Sequence, residues 1–341
     1  MSLKKKSVIA VTGVGGGVGQ SIIKSLYGSS YKIIGMDSET LGTGLYAVPK
    51  AYKIPYASDS HYINSLLDIC SKEKCSLLFP GLDVELSILS QNADKFVQIG
   101  TTVIISRPEA IEICDDKLLT SKFLVKIGLP APKTYTLKGF LANPHLLNFP
   151  IILKPKKGGA RSKDVYKVDS KTDLNKILVI EKLLADNLVV QEYIDGDEYT
   201  CGTVNLDQKY FGSIIMRRTL RDGDTYKCFT EKNPTIESSL STIMKNLKPF
   251  GACNVQLRLK DNIPYVFELN ARCSGTTAAR AIAGFNEPRS IADYLLHHKK
   301  PVFKTKTLTI FRYWKELVID NKQIEKISKI GQIFRTQYPQ L

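Results

Sequence analysis

Four residues near the end of the chain carry the densest chemistry. They lie in GACNVQLRLKDNIPYVFELNARCSGTT, residues 251–277. Two apolar-alternating runs flank Asp261-Asn262, a pair suited to a tight turn, so the stretch is expected as a β-hairpin. Gln256 sits on one arm. Glu268 and Asn270 sit two apart on the other and therefore face the same side of the sheet. Three oxygen-bearing side chains then converge, with room for phosphate oxygens, which is the donor set that suits Mg²⁺, Mn²⁺ being an acceptable substitute. Arg272, two residues further on, can point the same way toward a phosphate or a carboxylate. The ordinary alternative is an exposed polar strand face, the commoner fate of a single Glu-x-Asn.

Two earlier groups suit a nucleotide. Lys117 and Lys154 form the first, and Lys154 ends the apolar run FPIILKP. A lysine there is either a solvated strand end or a point charge reaching a phosphate. The following loop opens with Gly158 and Gly159, a flap whose N–H groups can close over phosphate. The second group is VVQEYIDGDEYT, residues 189–200. An apolar strand ends at Gln191 and Glu192, Gly196 turns the chain, and Glu198 follows at a turn where a carboxylate can accept hydrogen bonds from ribose hydroxyls.

The first strand runs into Thr12-Gly13-Val14-Gly15-Gly16-Gly17-Val18-Gly19. Strand, glycine turn, helix is a geometry that presents N–H groups to phosphate. Counted from Gly13, Val18 stands where G-x-G-x-x-G needs its third glycine, although a T-G-x-x-G-x-x-G spacing fits. Asp37 ends the second strand, where an acid can bind a ribose. On this segment alone an NAD(P)-dependent reductase or epimerase is a respectable reading. The Tyr-x-x-x-Lys such enzymes need matches only Tyr46 and Lys50, just after the second strand and too early in the chain. A glycine loop also serves simply to pack a helix closely on a sheet.

The elements that must position these residues follow from periodicity. SVIAVTG, KIIGMDS, AYKIPY, CSLLFPG and TTVIIS read as strands, with helices over GQSIIKSLYG, HYINSLLDICSKEK and ELSILSQNADKF between them. Strands alternating with helices give a parallel, doubly wound sheet over residues 1–116. After it come an amphipathic helix in LLTSKFLVKIG, the strands FPIILKP, VYKV and NLVVQEYI, and a helix in TDLNKILVIEKLL capped by Thr172 or Asp173. The strands YTCGTVNL and KYFGSIIMRRT, the helix ESSLSTIMKNLKPF and the hairpin complete an α+β region. The divisions expected are 1–116, 117–190, 191–303 and a C-terminal strand/helix extension over 304–341.

Composition sets the outer limits. The chain has 341 residues, 43% hydrophobic and 24% charged, an ordinary globular balance that excludes disordered and low-complexity classes. No apolar run is long enough to cross a membrane. Residues 1–116 hold 11 Lys/Arg against 12 Asp/Glu, and residues 117–341 hold 37 against 21. The basic excess thus sits where the phosphate-binding candidates lie. No dense basic run or interleaved aromatics accompany it, so nucleic acid is not the expected partner. The seven cysteines form no C-x-x-C and pair with none of the four histidines at zinc spacing, which fits small buried side chains in a reducing cytoplasm. Lys4–Lys6 before an apolar stretch imitate a signal peptide, but glycines break the stretch and no A-x-A site follows.

The ordered set of DDKLLTSKFLVKIGLPAPKT, FPIILKPKKGG, VVQEYIDGDEYT and NVQLRL followed by FELNAR resembles the ATP-grasp superfamily, most closely one synthetase half of the carbamoyl phosphate synthase large chain. The resemblance implies an α/β, Rossmann-like pre-ATP-grasp domain followed by an α+β ATP-grasp domain of two lobes, with residues 117–190 as the lid. It implies that Lys117 and Lys154 contact ATP phosphates, that Gly158 and Gly159 open the loop over the nucleotide, and that Glu192 holds the adenine amino group. It further implies that the backbone at Ile194 reads the adenine ring, that Glu198 binds the ribose, that Gln256, Glu268 and Asn270 bind Mg²⁺, and that Arg272 faces the transferred phosphoryl group or the acceptor. The first domain would help bind the acceptor. The activity implied is an ATP- and Mg²⁺-dependent carboxylate–amine ligase acting on small molecules through an acyl phosphate. A reductase or epimerase, or a nucleotide-binding protein without catalysis, are the rivals. Departures from the synthase are Arg161 and Lys163 in the loop, Gly275 in place of a basic residue, and a single ATP-grasp unit, which is not expected to make carbamoyl phosphate alone. Acceptor-site candidates are Asp83, Glu85, Arg217, Arg218 and Arg221.

Overall fold

The computed structural model describes residues 7–158, 164–180 and 185–341. Three sheets organise them. In the first, β1 (Val8–Val11), β2 (Lys32–Asp37), β3 (Lys50–Lys53), β4 (Cys75–Phe79) and β5 (Thr102–Val103) run parallel in the order β3-β2-β1-β4-β5. All of β1 is buried, as a central parallel strand covered on both faces must be. The helices α1 (Gly17–Leu26), α2 (Tyr62–Glu73), α3 (Leu86–Gln91), α4 (Ala93–Gln98) and α5 (Pro108–Asp115) accompany it. The chain leaves β1 toward β2 on one side and returns to β4 on the other. The crevice beyond the carboxyl ends of β1 and β4 is therefore a switch point, where open α/β sheets bind ligands.

A small antiparallel sheet follows α6 (Lys117–Lys126). Its strands are β6 (Thr134–Thr136), β7 (Ile151–Pro155), β8 (Tyr166–Val168) and β9 (Leu188–Glu192), in the order β6-β9-β7-β8. Together with α7 (Leu137–Ala142) and α8 (Lys171–Ile180) it has a core of its own, built on Leu137, Phe140, Ile151, Leu153, Leu174 and Val190. The third sheet is antiparallel and six-stranded: β10 (Asp197–Leu206), β11 (Lys209–Arg221), β12 (Asp224–Glu231), β13 (Gly251–Lys260), β14 (Ile263–Asn270) and β15 (Thr309–Phe311), ordered β14-β13-β10-β11-β12-β15. The helices α9 (Pro234–Leu247), α10 (Thr277–Ile282) and α11 (Glu287–His297) belong to this part. Hydrophobic clusters run from the first sheet into the third without a break: Ala10, Ile34 and Leu78 share one with Cys201, Val255 and Leu269.

Four readings need correction. ELSILSQNADKF is two short helices, not one, because the Asn92 side chain donates to the Ile88 carbonyl at 2.9 Å and diverts the backbone between α3 and α4. The cap before α8 is Ser170, whose Oγ accepts from Asp173 N at 3.1 Å while Asp173 accepts from that hydroxyl at 2.6 Å. The helix α6 buries Lys117, Thr120 and Leu124, a mixed face that is not an apolar stripe. Finally, the first sheet is not wholly parallel. After α12 (Asn321–Ile330), β16 (Gln332–Phe334) pairs antiparallel with β3. Residues 304–341 are thus shared out, β15 to the third sheet and β16 to the first.

Candidate functional site

One cleft of about 1330 Å³ is bounded by all three sheets. The glycine loop and residues 81–84 form one wall, Lys117, Lys154, Gly158 and residues 191–194 another, and the faces of β10, β11, β13 and β14 the floor. Lys117, Lys154, Gly158, Glu192, Ile194, Glu198, Gln256, Glu268, Asn270 and Arg272 all line it. Gly159, Arg161 and Lys163 lie outside the described residues.

The two lysines are held differently. Lys117 opens α6, which Asp116 caps by accepting from Leu118 N at 2.9 Å and Leu119 N at 3.2 Å. Its Nζ donates to the Gly158 carbonyl, and Gly158 N donates to Asp115 at 3.0 Å, so the helix start and the loop start hold each other. Lys154 is not the solvated strand end that its position allowed. It is 5% exposed, because β7 lies between β8 and β9 and the Phe267 ring lies 5.5 Å from the ammonium. Nζ donates to Gln191 Oε1 at 2.8 Å, and Gln191 in turn donates to Thr134 Oγ1 at 2.8 Å. Burial pulls this ammonium down to about 8 against the nearby Glu268 charge; Lys117 adds to the lowering and Glu198 opposes it.

Glu192 ends β9 with its carboxylate turned back to accept from Lys133 N at 3.1 Å. Ile194 follows, nearly buried, in the turn toward β10. Glu198 lies directly across from Arg258 on β13, and both its oxygens are engaged. Arg218 on β11 donates twice to Oε1, at 3.0 and 2.7 Å, and Arg258 donates to Oε2 at 2.8 Å. Arg258 was not singled out from the sequence. Its signal was there, since it stands two residues after Gln256 on the same strand and so shares its face.

The hairpin brings the metal candidates together as expected. Gln256 is directly opposite Glu268, and Asn254 is opposite Asn270. A register shift after Gln256 leaves Phe267 without an opposite residue, and this is the ring that meets Lys154. Asn270 Nδ2 donates to Glu268 Oε1 at 3.1 Å, and Arg218 Nη2 donates to Gln256 Oε1 at 2.7 Å. Among the described residues no cation lies within ion-pair distance of Glu268. No group of three His, Cys, Asp or Glu forms there either, so a metal would bind through one carboxylate and two amide oxygens. That set fits Mg²⁺, which takes one or two carboxylates and completes its shell with water and substrate phosphates.

Arg272 leaves the end of β14 and meets the first domain. It donates from Nε and Nη2 to Asp83 Oδ1 and Oδ2 at 2.6 and 2.7 Å, and from Nη1 to the Cys273 carbonyl at 2.7 Å. Burial would lower its pKa, but the Asp83 charge more than offsets this and holds it above the ordinary arginine value.

Of the other acceptor candidates only Arg218 lines the cleft with Asp83. Glu85 is fully buried and accepts from Thr12 Oγ1 at 2.7 Å, Gly81 N at 2.7 Å and Leu82 N at 2.8 Å; it shapes the wall without entering the cleft. Arg217 pairs with Glu231 at 2.7 Å, and Arg221 lies in the open beside Asp222. Tyr46 donates to the Thr40 carbonyl at 2.6 Å and Lys50 pairs with Glu73, so they form no catalytic pair. Asp37 accepts from Gly15 N at 2.6 Å and Glu39 N at 2.9 Å, holding the glycine loop itself. The glycines allow close packing: a Cβ on Gly19 would lie 2.3 Å from the Gly13 carbonyl oxygen.

The N-terminal part, residues 9–104, matches the family model for the PylC-like N-terminal domain, and residues 185–316 match that for ATP-grasp in the biosynthetic pathway with Ter operon. D-alanine–D-alanine ligase A of Bacillus cereus is 27% identical over 232 residues, 60% of this chain and 76% of that protein. The carbamoyl phosphate synthase large chain of a Thermoanaerobacter species is 25% identical over 263 residues, 72% of this chain but only 23% of the synthase. Among solved structures, N5-carboxyaminoimidazole synthetase from Staphylococcus aureus complexed with ADP shares the fold at a TM-score of 0.68 and 17% identity, covering 84% of this chain and 77% of that one. The chain thus joins a PylC-like N-terminal domain to an ATP-grasp domain, and it resembles one synthetase half of the carbamoyl phosphate synthase large chain.

Proposed function

We propose that this protein is an ATP- and Mg²⁺-dependent ligase that activates a small carboxylic acid as its acyl phosphate and joins it to an amine. The observation that carries the reading is the meeting, in one cleft, of two lysines, an oxygen-rich hairpin and an arginine. A carboxylate resists nucleophiles because of its charge. Its oxygen attacks the γ-phosphorus of ATP, the bond from that phosphorus to the β-bridging oxygen breaks, and ADP leaves. The amine nitrogen then attacks the acyl carbon, inorganic phosphate departs with the C–O electrons, and the spare proton passes to solvent.

Each residue has a part in that sequence. Lys117 and Lys154 draw in and orient the phosphates, with the Gly158 carbonyl holding the Lys117 ammonium in place. The main chain at Ile194 reads the adenine. Glu192 borders the base through its orientation by Lys133. Glu198, held by Arg218 and Arg258, presents its edge to the ribose. Gln256, Glu268 and Asn270 would hold Mg²⁺, which supplies charge neutralisation on the transferring phosphoryl oxygens. Arg272 adds a fixed positive charge where the acyl phosphate forms. Residues 1–116 act as the acceptor-side domain, 117–190 as the lid lobe, 191–303 as the metal-bearing lobe, and 304–341 as an extension touching both sides.

The similarity to a D-alanine–D-alanine ligase favours amino acids among the acids to try first. The decisive assay is ADP release from Mg²⁺–ATP with a panel of small acids and amines, product mass being read in parallel. ADP release that depends on both acid and amine is the expected result. Binding of Mg²⁺–ATP with no turnover on any acid would leave a nucleotide-binding protein instead. Micromolar binding of NAD(P) would reinstate the reductase reading.

A further inference from the structure

The cleft holds one feature beyond the two lysines and the oxygen set of the hairpin. At its first-domain end, Asp83 and Arg272 form a bidentate pair 189 positions apart in the chain. Asp83 lies in the short 3-10 turn Asp83–Glu85 behind β4, and Arg272 just past β14. The side chains keep 29% and 10% of their exposure, and both residues line the cleft. The pair is rigid from below: Glu85 fixes Gly81 N and Leu82 N at 2.7 and 2.8 Å, and the Cys273 carbonyl fixes Nη1.

A parallel fork uses one lone pair on each carboxylate oxygen, and a carboxylate has about four in all. The outer lone pairs of Asp83 remain to accept, and guanidinium N–H groups remain to donate. Each end of this pair is thus a charge of fixed sign offered to the cleft. A molecule carrying an ammonium and a carboxylate two bonds apart can lie against it head to tail, ammonium on Asp83 and carboxylate on Arg272, without splitting the pair. A plain carboxylate gains only half of that and meets the Asp83 charge as a repulsion.

Position makes this an acceptor site. Arg272 Nη2 is 3.4 Å from Asn270 Oδ1, so a carboxylate resting on Arg272 lies beside the oxygen set of the hairpin. Space is present too: a Cβ built on Gly275 would meet nothing within 4 Å, and Val18, Leu82 and Val84 give the same end of the cleft apolar walls.

We propose that the Asp83–Arg272 pair is the recognition site for an α-amino acid, taken as a zwitterion, whose carboxylate is the one phosphorylated. The proposal rests on the ligase reading above. The balance is that of the acyl-phosphate step already written; the ammonium on Asp83 stays protonated, which keeps that nitrogen from acting as the attacking amine.

The test measures ADP release from Mg²⁺–ATP, with hydroxylamine in excess throughout as a common amine, for the twenty L-amino acids and D-alanine, each set against its deamino counterpart, propionate for alanine and 4-methylpentanoate for leucine. At least one amino acid is expected to exceed its deamino partner by about 100-fold in kcat/KM. In D83N that ratio should fall below about 10, while the Kd for Mg²⁺–AMPPNP stays within about threefold of wild type. Deamino acids used as well as amino acids would overturn the zwitterion site while leaving the ligase reading standing. An equal loss for both classes in D83N would reduce Asp83 to a support for Arg272 and also overturn it. Absence of ADP release with every acid of both classes would overturn the ligase reading and this proposal with it.

Discussion

Lys154 shows why a residue's chemistry depends on where its strand lies. A lysine at the end of FPIILKP reads equally well as a solvated end, and only the pairing of β7 between β8 and β9 decides against it. A buried cation costs free energy unless compensated, and here its direct partner, Gln191, is neutral. Lys154→Met should therefore leave the melting temperature unchanged or raised, whereas Mg²⁺–ATP affinity should fall by about 1.5–3 kcal/mol, the worth of a charge-assisted contact. Calorimetry and a melting curve on one preparation separate the two. The depressed pKa adds a pH test. With Lys154 meeting the phosphates as proposed, the free protein loses that charge above about 8, so affinity should weaken by up to about tenfold per pH unit from 8 to 10, with proton uptake on binding. Stability runs the other way: between 8 and the ordinary lysine value of 10.5 the unfolded chain binds the extra proton, so folding stability from this group rises with pH. Lys154→Met should show neither slope. Glu268→Gln, in contrast, keeps shape and removes the one carboxylate of the hairpin set. ADP formation should drop below detection, with circular dichroism unchanged; full activity would remove the metal assignment.

At the scale of elements, the hairpin was legible because everything that defines it is local. The period of two, the Asp261-Asn262 turn and the Glu-x-Asn spacing all lie within 20 residues, but the pairing of Gln256 with Glu268 depends on the bulge at Phe267, since an unbroken hairpin on that turn would set Gln256 opposite Phe267. The glycine loop was legible as strand–turn–helix but ambiguous in purpose, since the same glycines serve phosphate and close packing. Two long-range facts resolve it, the Asp37 carboxylate bonded to Gly15 N and the turn Thr43–Tyr46 folded over Val14 through Gly44 N at 3.2 Å. Neither is visible in sequence spacing. The two ends of the loop should then respond differently to substitution. Gly19→Ala forces a Cβ to within 2.3 Å of the Gly13 carbonyl oxygen and should cost about 1–3 kcal/mol of stability by denaturant unfolding. Gly16→Leu meets only ordinary contacts at its Cβ and projects into the cleft. It should fold, bind Mg²⁺–ATP nearly as wild type, and lose use of the acid substrate. Loss of nucleotide binding in Gly16→Leu at unchanged stability would put the nucleotide in the wrong half of the cleft.

Across the whole molecule, the cleft depends on how the first domain is held against the third sheet, and the end of the chain takes part in this. The sequence gives little notice of it: β16 is three residues long and its partner β3 lies some 280 positions earlier. Pairing at such separation is set by the packing of a finished core, not by any local pattern. Here the core is real. Ile327 and Ile333 are buried in the cluster that holds Ile9, Ile22 and Leu45, and Arg335 donates to the Tyr46 carbonyl and, at 2.9 Å, to that of Leu45. The turn that closes the glycine loop is thereby fastened by the C-terminal segment, while β15 fastens the preceding stretch to β12. Removing residues 321–341 should consequently uncover the β3 edge and loosen the acceptor side without touching a nucleotide-binding residue. Ile327→Ala is the milder form of the same lesion, and a buried isoleucine cut to alanine costs about 2–5 kcal/mol. Both variants should melt earlier than wild type and lose more in kcat/KM for the acid than in affinity for Mg²⁺–AMPPNP. Equal losses in the two would mean that the first domain and the ATP-grasp lobes respond as one block, and the C-terminal strand would then be a general staple with no bias toward the acceptor end.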